Sequence, residues 1–382
     1  MTEDFAEIAH SGGTVTFTIS HDANGKVLYQ ISTSHSRPVA MAMFGVYALR
    51  QGIVVGTIDL GGIGTPWNPP PVSGCLPVFI SSDSQGQFGH HCPQCRGYWR
   101  SGPFPRVCPY CSLHAEAIGF LSDAQQTYVR HYCGVLGTAL SKGEAGDVVI
   151  DMDAVADAAG KDGEKPAFYV SERSQQHKFT CGACDEFNDI LGRFGFCSLC
   201  GTRNDFVIFE SETIPEIRGR LKGGAAPEVC LRDAVSAFDS LVAQYAKQLA
   251  ALVPLTDRRR ERLTARRFQD LADVHSVLSV WFDIDICKGM TDAERSSVAL
   301  KFHRRHVYEH NGGEVDQKYL DSSGDTTVKL KQRIRESATD THELLNRLLG
   351  IARKLHDGFH ELLPPRPEPI KWFAEKKVRM AR

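Results

Sequence analysis

The sequence lacks any apolar run long enough to cross a bilayer. Its longest nearly apolar stretch, Val39 to Leu49, falls far short of the roughly 20 residues a membrane helix needs. It opens on Met1-Thr2-Glu3-Asp4 with no basic region and no hydrophobic segment behind it, so no signal peptide is expected and a cytoplasmic location is. A phosphate-binding loop is also missing, because Gly61-Gly62-Ile63-Gly64 does not satisfy that pattern. Nor is there a strong excess of one charge: the net is −2, with 42% apolar and 24% charged residues, ordinary values for a globular chain. The charge is uneven, however. Residues 1–211 carry 14 Lys+Arg against 21 Asp+Glu, and residues 212–382 carry 30 against 25, so the C-terminal half is the better partner for a polyanion.

At 382 residues the chain is long enough for two to four domains. Eight of its 12 cysteines fall into four Cys-x-x-Cys pairs, which in a reducing compartment reads as metal binding rather than disulfides. Cys92 and Cys95 go with Cys108 and Cys111; Cys181 and Cys184 go with Cys197 and Cys200. Twelve residues separate the inner cysteines of each set, and the device repeats at an offset of 89 residues. Two residues between thiolates let one tight turn aim both sulfurs at one ion, and a short hairpin brings two such turns together. Two structural Zn2+ ions per chain are therefore expected, in sites that resemble zinc ribbons. Gly97 and Gly201, just after second cysteines, suit the return of each knuckle, and Pro93 and Pro109 stiffen the first site. Tyr98, Trp99, Arg100 and Arg106 either grip a nucleic-acid strand or pack a domain too small for a large core. Cys75, Cys133, Cys230 and Cys287 stand alone and read as buried apolar residues.

The expected fold is multidomain. Residues 1–88 form an α+β region of unknown role, 89–114 and 178–211 the two ribbons, and 115–177 an α/β connection. Within the first region "TVTFTIS" and "KVLYQIS" make a hairpin about Asn24-Gly25; "VAMAMFGVYALR" reads as a short buried helix, and "IVVGTI" as a strand. Ser122 to Lys142 reads as a helix capped by Ser122, and "DVVIDMDAVADAAG" as a strand and short helix. Residues 228–363 carry four amphipathic helical patterns, the makings of an all-α four-helix bundle. The first has Val235, Phe238, Leu241, Val242, Tyr245 and Leu249 on one stripe; the second is "TARRFQDLADVHSVLSVWF". The third starts at a Thr291–Glu294 capping box and ends at Asn311-Gly312-Gly313, and the fourth spans Asp340 to Leu363. Residues 364–382 read as a Pro-rich and basic tail.

The third helix ends in "FHRRHVYEHNGG". His306 and His310 share a face at the spacing of paired zinc ligands, yet two histidines need further ligands from elsewhere. Arginine and histidine near a helix C-terminus also suit the dipole and the last carbonyls. The string Arg305-His306-Val307-Tyr308-Glu309-His310 resembles the Arg-x4-6-His motif of HEPN domains, and "HNGGEVDQKY" is similar to the downstream continuation of that motif in some members. The resemblance covers residues 228–363. It implies a metal-independent ribonuclease of the kind found in toxins and antiviral defence, with RNA as partner. His310 would be the general acid/base, Arg305 would stabilise phosphate charge, and His306 would orient the phosphate or support His310. Because five residues of straight helix turn about 500°, Arg305 and His310 point about 140° apart, so either the helix distorts before Gly312 or two chains share a site in the homodimer that the resemblance implies. The alternative is a non-catalytic zinc-ribbon adaptor or regulator that binds nucleic acid or a protein partner. Six arginines in "RRRERLTARR" read either as a solvated helix face or as a track for an RNA backbone.

Overall fold

A computed structural model of the chain describes residues 5–7, 14–34, 42–59, 67–82, 86–142, 144–151, 154, 171–173 and 177–380. Two compact units make it up: Met1–Gly201 with Arg366–Arg382, and Thr202–Pro365. Gly61–Gly64 and most of the short helix expected after Asp151 lie outside the described residues.

Alternation in the first unit buries Val15, Phe17 and Ile19 on one face of strand β2 (Thr14–His21), which pairs antiparallel with β3 (Val27–Ser34). Asp22 fixes the turn between them by accepting from the backbone N–H of Asn24 and Lys26, and Gly25 supplies the left-handed residue. Strand β9 (Gly146–Asp151) lines the other edge of β2. A second antiparallel sheet has the order β5-β4-β6, from β4 (Met43–Ala48), β5 (Val54–Ile58) and β6 (Leu76–Ser81). Strand β1 (Phe5–Glu7) pairs with β10 (Ser171–Arg173).

Strand β4 corrects the helix expected there. Phe44 and Val46 enter one core and Tyr47 another, so both faces of the strand are buried. An apolar run without alternation fits a doubly buried strand as well as a helix. Gly45 lets β5 approach: a Cβ there would lie 2.9 Å from that of Ile58. Helix α1 (Asp123–Ser141) starts at the Ser122–Gln125 capping box and packs Tyr132 and Leu136 against Phe17, Val46 and Val78 of the two sheets.

The two cysteine-bearing hairpins form one sheet. Strands β7 (Phe88–His91) and β8 (Tyr98–Ser101) recur, at the 89-residue offset, as β11 (His177–Thr180) and β12 (Phe187–Ile190), and the order is β11-β12-β8-β7. Helix α9 (Pro367–Met380) occupies the segment expected as a tail. Ile370 packs on the second cysteine cluster, and the N–H of Arg366 donates to the carbonyl of Cys200 at 2.8 Å.

The second unit is helical. Helix α2 runs Asp205–Ile208, through a π turn at Phe209–Thr213, to Ile214–Lys222. Then come α3 (Pro227–Leu252), α4 (Asp257–Thr264), α5 (Leu271–Phe282), α6 (Asp292–His310), α7 (Gln317–Ser323) and α8 (Ala338–Leu362). All six stripe residues of α3 are buried, and α3 packs against both α6 and α8. The single helix expected from Thr264 to Phe282 is instead broken. Asp239 accepts from the N–H of Phe268 at 2.8 Å, and Asp270 caps a new helix by accepting from the N–H of Asp273. Side-chain acceptors thus take the donors a continuous helix would have used.

A buried ionic network fastens the C-terminal half of α6. The guanidinium of Arg304 donates to Asp325 and to Glu336, each at 3.0 Å, and Tyr319 and Tyr308 donate to the same two carboxylates. Lys301 adds a second cation to Glu336. Burial opposes ionisation of Asp325, but hydrogen bonds from Thr327 and Tyr319 and the Arg304 contact hold its carboxyl well below the usual range. Replacing Arg304 by Met leaves two buried carboxylates without their main partner. We expect a loss of about 3–5 kcal/mol at pH 7. The deficit should shrink below about pH 4, where the depressed pKa of Asp325 no longer stabilises the fold against an unfolded chain that is already protonating. Urea midpoints of the helical transition at pH 7 and pH 3 check both.

Candidate functional site

The structure gathers the eight paired cysteines into two groups of four. Within each group the ligand atoms lie within 4.8 Å of one another. Sγ atoms of Cys92 and Cys111 are 3.6 Å apart, as are those of Cys95 and Cys108; in the second group Cys181–Cys200 is 3.7 Å and Cys184–Cys197 is 3.5 Å. A disulfide needs about 2.05 Å. Four thiolates about 2.3 Å from a central tetrahedral ion would be about 3.8 Å apart, so each donor set fits a metal ion.

Local backbone explains the fit. After each second cysteine one residue takes positive φ: Arg96 at 61°, Ser112 at 59°, Asp185 at 68° and Gly201 at 83°. Each of these four also donates its N–H to the carbonyl of the first cysteine of its pair, at 2.8–3.0 Å. Gly97, expected to make the turn, is not the left-handed residue. Its role is close approach, since a Cβ there would sit 2.3 Å from the ring of Tyr110. The four-residue knuckle was legible from spacing, but the tolerance of Arg96, Ser112 and Asp185 for this strain was not.

The hairpins meet about a pseudo-two-fold axis. In the β8–β12 register Arg100 pairs with Asp189, its own counterpart at the repeat offset. Their side chains form a buried ion pair at 3.2 Å. The N–H of Val107 donates to the carbonyl of Ser198 and that of Phe196 to the carbonyl of Pro109, both at 2.9 Å, and these two bonds are equivalent under the same offset. Trp99 and Arg100 are therefore interior, and Arg106 is paired with Glu116. Packing is the role of Trp99 and Arg100. The lone Cys75, Cys133, Cys230 and Cys287 are buried as expected.

The helical unit holds a cavity of about 200 Å³ lined by His303, Arg305, His306, Asp316, Lys318 and Gln269, among others. Arg305 forms no ion pair among the described residues, and its Nε is buried without a hydrogen-bond partner. Asp316, a carboxylate in that lining, is engaged: it accepts from the N–H of Tyr319 at 2.7 Å and from Asn311 at 2.7 Å. Burial first, then the neighbouring His310, Lys318 and Arg305, lowers the pKa of His306 below its usual 6.5, and Asp316 opposes the shift. His310 does not line the cavity; its ring lies 4.5 Å from that of His306 at the exposed end of α6. Arg305 and His306 are thus brought together, and His310 joins them only through His306. His303 and Lys318 were missed as members. Lys318 reaches the site only because Gly312 and Gly313, both at positive φ, turn the chain back onto α7.

Because β12 pairs with β8, the two clusters should not be independent. Elemental analysis of protein purified without chelator should find two metal ions per chain, and Cys184→Ser should lower this to one. The ion that remains should pass to a colorimetric chelator several-fold faster than either ion of the intact chain. Release of it at the unperturbed rate would show that the shared sheet does not couple the clusters.

None of the helices of the described residues is long and apolar enough to cross a membrane. No family model, no curated protein and no solved structure matches the chain.

Proposed function

We propose that the chain is a zinc-binding protein whose helical unit, a HEPN-like module, cleaves RNA by metal-independent transesterification. The observation that carries the reading is the cavity at the end of α6: a half-buried Arg305, without an ion-pair partner among the described residues, beside His303, His306 and Lys318. A planar, permanently charged guanidinium with no carboxylate partner suits a phosphodiester. Zinc is the ion assigned to the eight thiolates. Closed four-sulfur sites offer no open coordination position, so its contribution is structural.

In this reading Arg305 and Lys318 hold the phosphate and offset charge as it develops. His306 and His310 form the acid–base couple. One imidazole takes the proton of the ribose 2′-hydroxyl as its oxygen bonds to phosphorus. The other gives a proton to the 5′-oxygen as the phosphorus–oxygen bond breaks, leaving a 2′,3′-cyclic phosphate. His306 is kept in its neutral form near pH 7 by its lowered pKa, as a base requires. Arg305 and His310 do not share one cavity wall within a chain, and a homodimer that sets His310 against the partner's cavity would complete the site.

Purified protein incubated with mixed RNAs in EDTA should cut them and yield cyclic phosphate ends. His310→Ala should lower the rate by at least about 100-fold, with RNA affinity nearly unchanged. Arg305→Ala should lower both rate and affinity, and mixing the two variants should restore part of the activity. Cutting by His310→Ala at the full rate would overturn the catalytic reading. So would the absence of any cleavage by the metal-loaded chain, and the module would then be a binding adaptor.

A further inference from the structure

Helix α4 and the residues after it carry Arg258, Arg259, Arg260, Arg262, Arg266 and Arg267. Two of the six are neutralised: Arg260 by Asp257 at 2.8 Å, and Arg266 by Asp273 at 3.3 Å. Arg258, Arg259, Arg262 and Arg267 are exposed and have no carboxylate partner among the described residues. A merely solvated helix face would more often pair such charges along its own length, as Arg260 does.

Trp281 of α5 adds a second observation. The guanidinium carbons of Arg259 and Arg262 lie 5.6 and 5.8 Å from its ring centre, so one half-buried indole holds two arginines. A guanidinium held by an aromatic ring keeps its in-plane N–H donors for another acceptor. The indole thus pre-organises two cations without neutralising either. The run also leads to the cavity: Arg267 is two residues before Gln269, which lines it, and Asp239 fixes that short link by binding the N–H of Phe268 and the side chain of Gln269.

We infer that Arg258, Arg259, Arg262 and Arg267, with Trp281 as their support, form a track for the phosphate backbone of single-stranded RNA leading into the Arg305 cavity. This rests on the proposed function, because it is the cavity that calls for a phosphodiester flanked by further nucleotides. The track recognises phosphates, not bases, so it sets affinity and substrate length rather than sequence.

The test uses the full metal-loaded chain and a fluorescein-labelled 2′-O-methyl uridine dodecamer, which binds but lacks the hydroxyl needed for cleavage. Anisotropy titrations between 50 and 200 mM KCl give the salt slope. Arg259→Gln with Arg262→Gln should reduce that slope by about 1.4, at about 0.7 per lost phosphate contact on a single strand, and should weaken binding at least several-fold. Trp281→Leu should weaken binding with all charges kept, and Trp281→Phe should restore most of it. Cleavage of a dinucleotide, too short to reach the track, should be unaffected by the double variant. An unchanged slope and affinity in the double variant would overturn the track, whatever becomes of cleavage. Failure of the intact chain to bind the dodecamer, with binding to phosphatidylglycerol vesicles instead, would overturn it equally. Loss of dinucleotide cleavage in His310→Ala, or its absence in the intact chain, reports on the catalytic reading alone.

Discussion

Four cysteine sulfurs within 4.8 Å of one another form a donor set that could hold one cation, and two such sets sit on the four-stranded sheet of the first unit. The sheet has a small core of its own, in which Trp99, Phe120 and Ile190 are the main apolar members beyond the cysteines. With so small a core, a metal ion held by each donor set would add order that apolar burial alone does not supply. Once both hairpins are closed, their inner strands lie antiparallel with Arg100 opposite Asp189. The buried pair has no water to fall back on, so it fixes the register as well as joining the halves.

The helical unit has its own constraint. Arg304 and Arg305 are adjacent in sequence and opposite in use. Arg304 is spent inside, on Asp325 and Glu336. Arg305 lines the cavity with no such partner among the described residues. By locking one face of α6 to α7 and to the segment around Glu336, the network leaves Arg305 and His306 facing the cavity and Lys318 beside them. A group with an unmet electrostatic need, held on rigid helices, is the usual form of an anion site.

Much of this was legible from sequence because spacing and capping are local. The Cys-x-x-Cys pairs, the Ser122 and Thr291 caps, the Asn24-Gly25 turn and the α3 stripe each depend on residues a few positions apart. What escaped depends on distant partners. Nothing near Met43–Ala48 distinguishes a doubly buried strand from a helix, because the choice is made by β5 and β6. Asp239 breaks the helix expected through Phe268 from some thirty residues away. The fusion of two ribbons into one sheet was hidden for the same reason, although the 89-residue repeat already carried the symmetry that produces it. At the candidate site, Arg305 and His306 were legible and Lys318 was not, since it joins them only after the chain reverses at Gly312-Gly313.

The central claim is that the cavity at the end of α6 receives a phosphodiester. The most direct test is an NMR titration of the histidine rings with and without a saturating 2′-O-methyl dinucleotide. In the free chain the pKa of His306 lies below 6.5, set by burial and its cationic neighbours. An anion between Arg305 and Lys318 should raise it, by about one unit or more if the phosphate oxygen comes within hydrogen-bond reach. A pKa of His306 that does not move at saturation would place the phosphate elsewhere and contradict the account.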